Sequence, residues 1–176
     1  MIFTPLPLSN AALIQLEKKE DARGYFVRTF CSEELLLNGI SFSIVQSNLS
    51  YNTKKATLRG LHYQLSPHEE DKIVYCLKGT IFDVIVDIRP DSPTYGQWFS
   101  VELSEAEKNG LFIPKGFAHG FQTLCDECEV LYLMSTSYVP EAARGVFWND
   151  PALSIPWPLQ EPIISDRDQQ FPCLYP

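Results

Sequence analysis

Apolar and polar positions alternate with a period near two through the middle of the chain. The segments Ser41–Leu49, Lys72–Lys78, Thr80–Ile88, Gln97–Leu103, Gly110–Ile113, Phe117–Leu124 and Val130–Ser137 are rich in β-branched and aromatic residues. Such side chains suit a pleated, half-buried surface, so each segment predicts a strand. Turn signals separate them: Lys78-Gly79, the Arg89–Pro93 stretch and Pro114-Lys115-Gly116. Short connections of this kind predict antiparallel pairing in an all-β sandwich or barrel. Helix signals are few. Ser32–Asn38 has a capping serine, an acidic first turn and Gly39 as a stop; Ser104–Glu107 is a capping box allowing one turn before Gly110. From Pro140 onward seven of the 13 prolines fall in 37 residues. That density predicts an irregular tail over 140–176 that wraps the surface. Without repeats or linkers, residues 1–176 read as one domain, with 1–30 as an N-terminal extension.

One strand breaks the usual pattern. In Ile81–Ile88 the even positions are apolar, while Asp83 and Asp87 share the other face with Ile81 and Ile85. If that face points inward, two carboxylates need a polar or wet interior; if outward, they need nothing. The pattern leaves both readings open.

Composition narrows the function classes. Acidic side chains number 22 against 14 basic ones, a formal charge of −8. Nucleic acids and anionic membranes want clustered Lys and Arg, so neither is expected as a partner. No run reaches transmembrane length, and the N-terminus lacks the basic region and long apolar stretch of a signal peptide, so a cytoplasmic location is expected. Five cysteines at irregular spacing fit reduced thiols. Cys125-Asp126-Glu127-Cys128 has CxxC spacing, but no second pair completes a zinc site. It lies between two strand-like runs rather than at a helix start, which predicts a hairpin tip.

Candidate chemistry gathers around few residues. Of three histidines, His119 closes Pro114-Lys115-Gly116-Phe117-Ala118-His119, the PxGxxH half-motif of cupin barrels. The other half-motif should supply HxH and a glutamate; the chain has His62-Tyr63-Gln64 instead. With too few convergent ligands, no catalytic metal is expected. Arg59 and His62 are three apart and would face opposite sides of a regular strand. Both reach one pocket only through a bulge or a strand end, for which Gly60 is the natural place.

Nine stretches, from Asp21–Phe26 through Leu58–Gln64, Phe82–Arg89 and Ile113–Phe121 to Ser165–Asp168, together resemble the dTDP-4-dehydrorhamnose 3,5-epimerase family. These are metal-free cupins acting on nucleotide-linked 4-keto-6-deoxyhexoses. The resemblance implies a cupin-type double-stranded β-helix, a jelly-roll barrel with few short helices. It also implies epimerisation at C3 and C5 beside a C4 ketone, without a cofactor, because the substrate's own ketone is the electron sink. By the same match His62 is the base and Asp168 its partner, Lys72 stabilises the enolate, and Tyr132 reprotonates the opposite face. Arg23, Gln46, Asn48, Arg59, His119 and Arg167 match substrate-binding positions, and Tyr138 matches an aromatic that stacks on the nucleotide base. The family's homodimers carry the N-terminal segment into the neighbour's site, so Arg23 is expected to act across an interface. Arg28 stands where the family commonly has glutamate and is expected to touch the nucleotide. Leu133 and Ser47 also depart from the family pattern. Related readings are a C3-only epimerase or a keto-isomerase; more distant ones are a metal-dependent oxygenase and a non-catalytic sugar-binding cupin.

Overall fold

A computed structural model describes residues 1–175. Two antiparallel sheets face each other. The first runs in the order β1 (Ile2–Pro5), β2 (Ala12–Gln15), β10 (Asn109–Ile113), β7 (Lys72–Lys78), β12 (Cys128–Met134), β5 (Gln46–Asn52). The second runs β13 (Ala143–Gly145), β6 (Leu58–Gln64), β11 (Phe117–Thr123), β8 (Thr80–Asp87), β9 (Trp98–Ser104). A separate hairpin, β3 (Lys18–Asp21) with β4 (Gly24–Val27), pairs only with itself. The helices are α1 (Ser32–Leu37) and α2 (Asp166–Gln169). The alternation of short strands and tight turns pointed to an all-β sandwich or barrel, and the two facing sheets form the jelly-roll that the family resemblance implied.

The strand pattern explains the layers. Val74, Leu111 and Val130 from the first sheet meet Ile81, Ile85, Leu103 and Phe121 from the second, forming the inner core. The even positions of β8, with Val84 and Val86 buried, point outward and are roofed by Leu153, Ile155 and Trp157 of the tail. On the far side Ile14, Ile73 and Phe112 are covered by Leu35 of α1 and by Phe42. β7 is thus apolar on both faces because both are covered.

The inner core settles the question left by β8. Ile81 and Ile85 point inward, so Asp83 and Asp87 do too, and both are fully buried. Asp87 is held at the end of the strand by Arg89, Ser92 and Thr94, Asp83 in its middle by His119.

Some boundaries differ from the pattern. The ladder expected over 41–49 begins only at Gln46, because Phe42 turns away to pack under α1. Residues 1–30 are not uniformly peripheral, since β1 and β2 complete the first sheet. The capping box at Ser104 gives one turn, its Oγ accepting from the Glu107 N–H at 3.1 Å. Cys125–Cys128 is not the expected hairpin tip: β11 belongs to the second sheet and β12 to the first, so this turn carries the chain from one sheet to the other, a pairing that the local alternation of strands does not encode.

Candidate active site

The bulge at Gly60 makes the site possible. On the β6–β11 ladder His62 pairs with His119 and Arg59 with Phe121, so three steps on β6 match two on β11. The extra residue turns Arg59 and His62 into the same cavity of about 310 Å³ between the sheets. Only glycine fits there. Gly60 has φ +126°, and a Cβ would sit 2.5 Å from the Gly120 Cα.

Each wall supplies a different chemistry. From the second sheet, His62 Nε2 lies 2.8 Å from Asp168 Oδ1. The other oxygen, Oδ2, accepts the Gly60 N–H at 3.0 Å. Ser165 caps α2 by accepting the Asp168 N–H at 3.1 Å, which fixes the backbone that carries the carboxylate. Burial acts to raise the Asp168 carboxyl, but the hydrogen bonds from His62 and Gly60 outweigh it and hold it below the ordinary aspartate value. With the Nε2 proton aimed at a carboxylate, the basic lone pair of His62 is on Nδ1.

The first sheet supplies Tyr132 and Lys72 from the adjacent strands β12 and β7, so they face His62 across the cavity. Burial, with the nearby Asp83 carboxylate, pushes the Tyr132 phenol above its ordinary value. The hydroxyl therefore keeps its proton at neutral pH and can give it up only to a strong base. Lys72 Nζ pairs with Glu70 Oε1 at 3.0 Å, with both side chains almost fully buried. It also lies 3.4 Å from the His62 carbonyl oxygen.

Asn48, His119, Tyr138 and Arg167 line the same cavity. Gln46 sits behind its rim, donating to Asn48 at 3.0 Å and accepting the Tyr138 N–H at 3.0 Å. Arg59, Lys72, Arg144 and Arg167 against the single Glu70 make the lining locally positive in an acidic chain. Two larger clefts, of about 690 and 780 Å³, hold no histidine.

Two expected residues are elsewhere. Arg23 is on the β3–β4 turn, its side chain 90% exposed and paired with Asp21 at 2.6 Å. The Arg28 guanidinium is committed to Glu34, which also holds the Met1 ammonium. Neither Arg23 nor Arg28 lines this chain's own cavity.

Three further groups belong to the site: Glu70, and Asp83 and Gln64, whose sequence pattern stands out without assigning them a role. Glu70 sits beside an unremarkable turn, and only its pairing with Lys72 reveals it. Asp83 pairs with His119 at 2.8 Å; the inward alternation of β8 was its signal. Gln64 ties the rim together, donating to Glu70 at 2.8 Å and accepting the Val139 N–H at 2.6 Å.

A jelly-roll whose cavity opposes a histidine–carboxylate pair to a phenol and a buried lysine defines a cupin-like enzyme of the acid–base isomerase class. The chain belongs to the dTDP-4-dehydrorhamnose 3,5-epimerase family, whose model matches residues 5–175. It is 46% identical over 151 residues to the dTDP-4-dehydrorhamnose 3,5-epimerase of Shigella flexneri, covering 84% of this chain and 82% of that one. The Bacillus anthracis enzyme of the same name, solved with TDP and PPi bound, superposes with a TM-score of 0.96 at 40% identity, covering 98% of both chains. A Legionella pneumophila relative solved in complex with dTDP-4-keto-L-rhamnose gives a TM-score of 0.93 at 39% identity, covering 98% of this chain and 92% of that one.

Proposed function

We propose that this chain inverts C3 and C5 of dTDP-4-dehydro-6-deoxy-D-glucose to give dTDP-4-dehydro-L-rhamnose. The observation that carries the reading is that base and acid stand on opposite sheets. Removing a proton from one face of the sugar and returning one to the other inverts the carbon between them. His62 Nδ1 takes the C–H proton next to the ketone, and Asp168 stabilises the imidazolium that forms. The Lys72 ammonium faces the carbonyl oxygen and stabilises the enolate. Tyr132 returns a proton from the far wall, and repetition at the second carbon completes the double inversion.

Arg59 and Arg167 take the diphosphate, since guanidinium forks suit phosphate oxygens. Asn48, Gln46 and His119 position the sugar, and Tyr138 at the rim stacks on thymine. The molecule acts as a homodimer in the cytoplasm. The β3–β4 hairpin stands apart from both sheets with Phe26 68% exposed, a shape suited to carrying Arg23 into a second copy's cavity. All five cysteines are unpaired, which suits a reducing compartment.

The test is NMR of dTDP-4-dehydro-6-deoxy-D-glucose incubated with the protein in D2O. Deuterium at both C3 and C5 in an L-rhamno product is expected, and His62→Asn should abolish exchange at both. Label at C3 alone would make the chain a C3 epimerase, a shifted ketone would make it a keto-isomerase, and unlabelled substrate would leave only a binding role.

A further inference from the structure

The CxxC pair at the β11–β12 turn has no part in the reaction above, yet it is built tightly. Cys125 Sγ and Cys128 Sγ lie 3.4 Å apart, both as free thiols. From that separation a disulfide needs only a small further approach of the two sulfurs. The neighbouring backbone makes room for them. At Gly79 a Cβ would stand 2.7 Å from Cys125 Sγ and 2.8 Å from Cys128 Sγ. Cys125 is half-buried and Cys128 fully buried, so a reagent from solvent meets Cys125 first.

The turn is also connected to the cavity. The Cys128 carbonyl oxygen accepts from Asn52 Nδ2 at 3.3 Å. Asn52 Oδ1 in turn accepts from Arg59 Nε at 2.7 Å. One buried amide therefore links the backbone of a thiol to a guanidinium lining the site. Cys128 Sγ itself rests 3.4 Å from the Thr80 carbonyl oxygen, a contact it must leave when it bonds to Cys125.

We propose that Cys125 and Cys128 are a redox-active dithiol, and that closing it into a disulfide weakens nucleotide binding by moving Arg59 through Asn52. The oxidant is a small-molecule disulfide of the glutathione class. The Cys125 thiolate attacks one of its sulfurs, forming a mixed disulfide and releasing one small thiolate, which takes up the Cys125 proton. Cys128, deprotonated in turn, attacks Cys125 Sγ and expels the second small thiolate, which takes up that proton. Two cysteine thiols lose two electrons and the small disulfide gains them. Burial pushes the Cys128 thiol up to about 11, which places it second in this order. The buried Cys76 thiol, pushed up by burial to about 12, bonds to the Lys78 carbonyl oxygen and does not compete.

The effect on affinity rests on the substrate-binding role given to Arg59; the dithiol itself does not. The reduced full-length protein is treated in parallel with phenylarsine oxide and with oxidised glutathione, then digested and mapped by mass. One arsenical bridging Cys125 and Cys128 and, after glutathione, a peptide lacking two hydrogens are expected, both absent in Cys125→Ser. A stable glutathione adduct on Cys125, or no reaction there, overturns the dithiol. Calorimetric titration with dTDP should then show about fivefold weaker binding by the oxidised form, a coupling of the usual size between linked sites. In Asn52→Ala the two redox forms should bind alike. A disulfide that forms with dTDP affinity unchanged overturns the link to Arg59. If the reduced protein binds no dTDP, the reading of the cavity fails while the arsenical result still decides the dithiol.

Discussion

Asp168→Asn probes the dyad with little change of shape. The carboxylate now satisfies two donors, His62 Nε2 at 2.8 Å and the Gly60 N–H at 3.0 Å. An asparagine has one oxygen and one NH2, so it can serve only one of them. With its oxygen toward Gly60, the NH2 donates to His62 Nε2 and drives the ring proton to Nδ1, removing the base from the cavity. With its oxygen toward His62, two buried donors confront each other at Gly60. In either case the imidazolium loses its counter-charge. A hydrogen bond to an ionised partner is worth about 1.5–3 kcal/mol, or about 10- to 150-fold in rate. Loss of the correct tautomer extends this toward the full contribution of general-base catalysis, about 10²- to 10⁴-fold. The expected outcome is kcat lowered by about 10²- to 10⁴-fold with the affinity for dTDP unchanged, since Asp168 does not line the cavity. The assays are product formation by NMR and calorimetric titration with dTDP, with circular dichroism to verify the fold. A folded variant within about threefold of the parent kcat would falsify the dyad.

Three further outcomes are expected. Tyr132→Phe should keep exchange from C–H to C–D while inversion slows by about 10²-fold or more; equal inversion rates would make Tyr132 merely a core aromatic. Glu70→Ala should lower stability by about 3–5 kcal/mol, because it leaves the Lys72 ammonium buried without its partner. That loss would appear as a lower urea midpoint at unchanged slope, and an unmoved midpoint would show that the pair contributes nothing. Burial works against the ionised Asp87, but its hydrogen bonds with Arg89, Ser92 and Thr94 hold the folded-state value at about 2, below the ordinary 3.8. That gap amounts to about 2–3 kcal/mol, fully present above pH 4 and lost as pH falls through 2. Asp87→Asn should therefore melt about 5–10 °C lower at pH 7, with the difference fading in acid; a difference that persists at pH 2 would contradict this account.

What the sequence could and could not reveal follows from where the information lies. The central strands were legible because their apolar residues recur at period two and their turns hold Gly and Pro. β6 was not, since Arg59, Gly60 and His62 interrupt the apolar pattern with the residues the cavity needs. β3 and β4 were missed because Lys18–Asp21 is entirely charged and the hairpin buries little. The bulge, by contrast, was half legible: two residues three apart that share a pocket need an extra residue or a strand end between them, and the β6–β11 register shows that it is the extra residue. Glu70 and Arg144 could not be found this way. Their place in the cavity depends on the approach of β7 and β13, which is long-range and leaves no local mark.

The two carboxylates of β8 show how one strand can serve structure at its end and chemistry in its middle. Asp83 and Asp87 have the same residue type, the same strand face and the same full burial. They differ in the number of donors. Asp87 is hydrogen-bonded by Arg89, Ser92 and Thr94 together, which overcome burial and keep it ionised. Asp83 has His119 alone, and its Oδ1 has no hydrogen-bond partner among the described residues. Burial therefore prevails over the attraction of His119 and Lys72, and the Asp83 carboxyl is raised. A buried group left short of donors costs stability, and its position accounts for why that cost is borne. Its field reaches Tyr132 and opposes ionisation of the phenol, and its hydrogen bond sets the orientation of His119. The well-satisfied aspartate closes the barrel, and the under-satisfied one tunes the cavity.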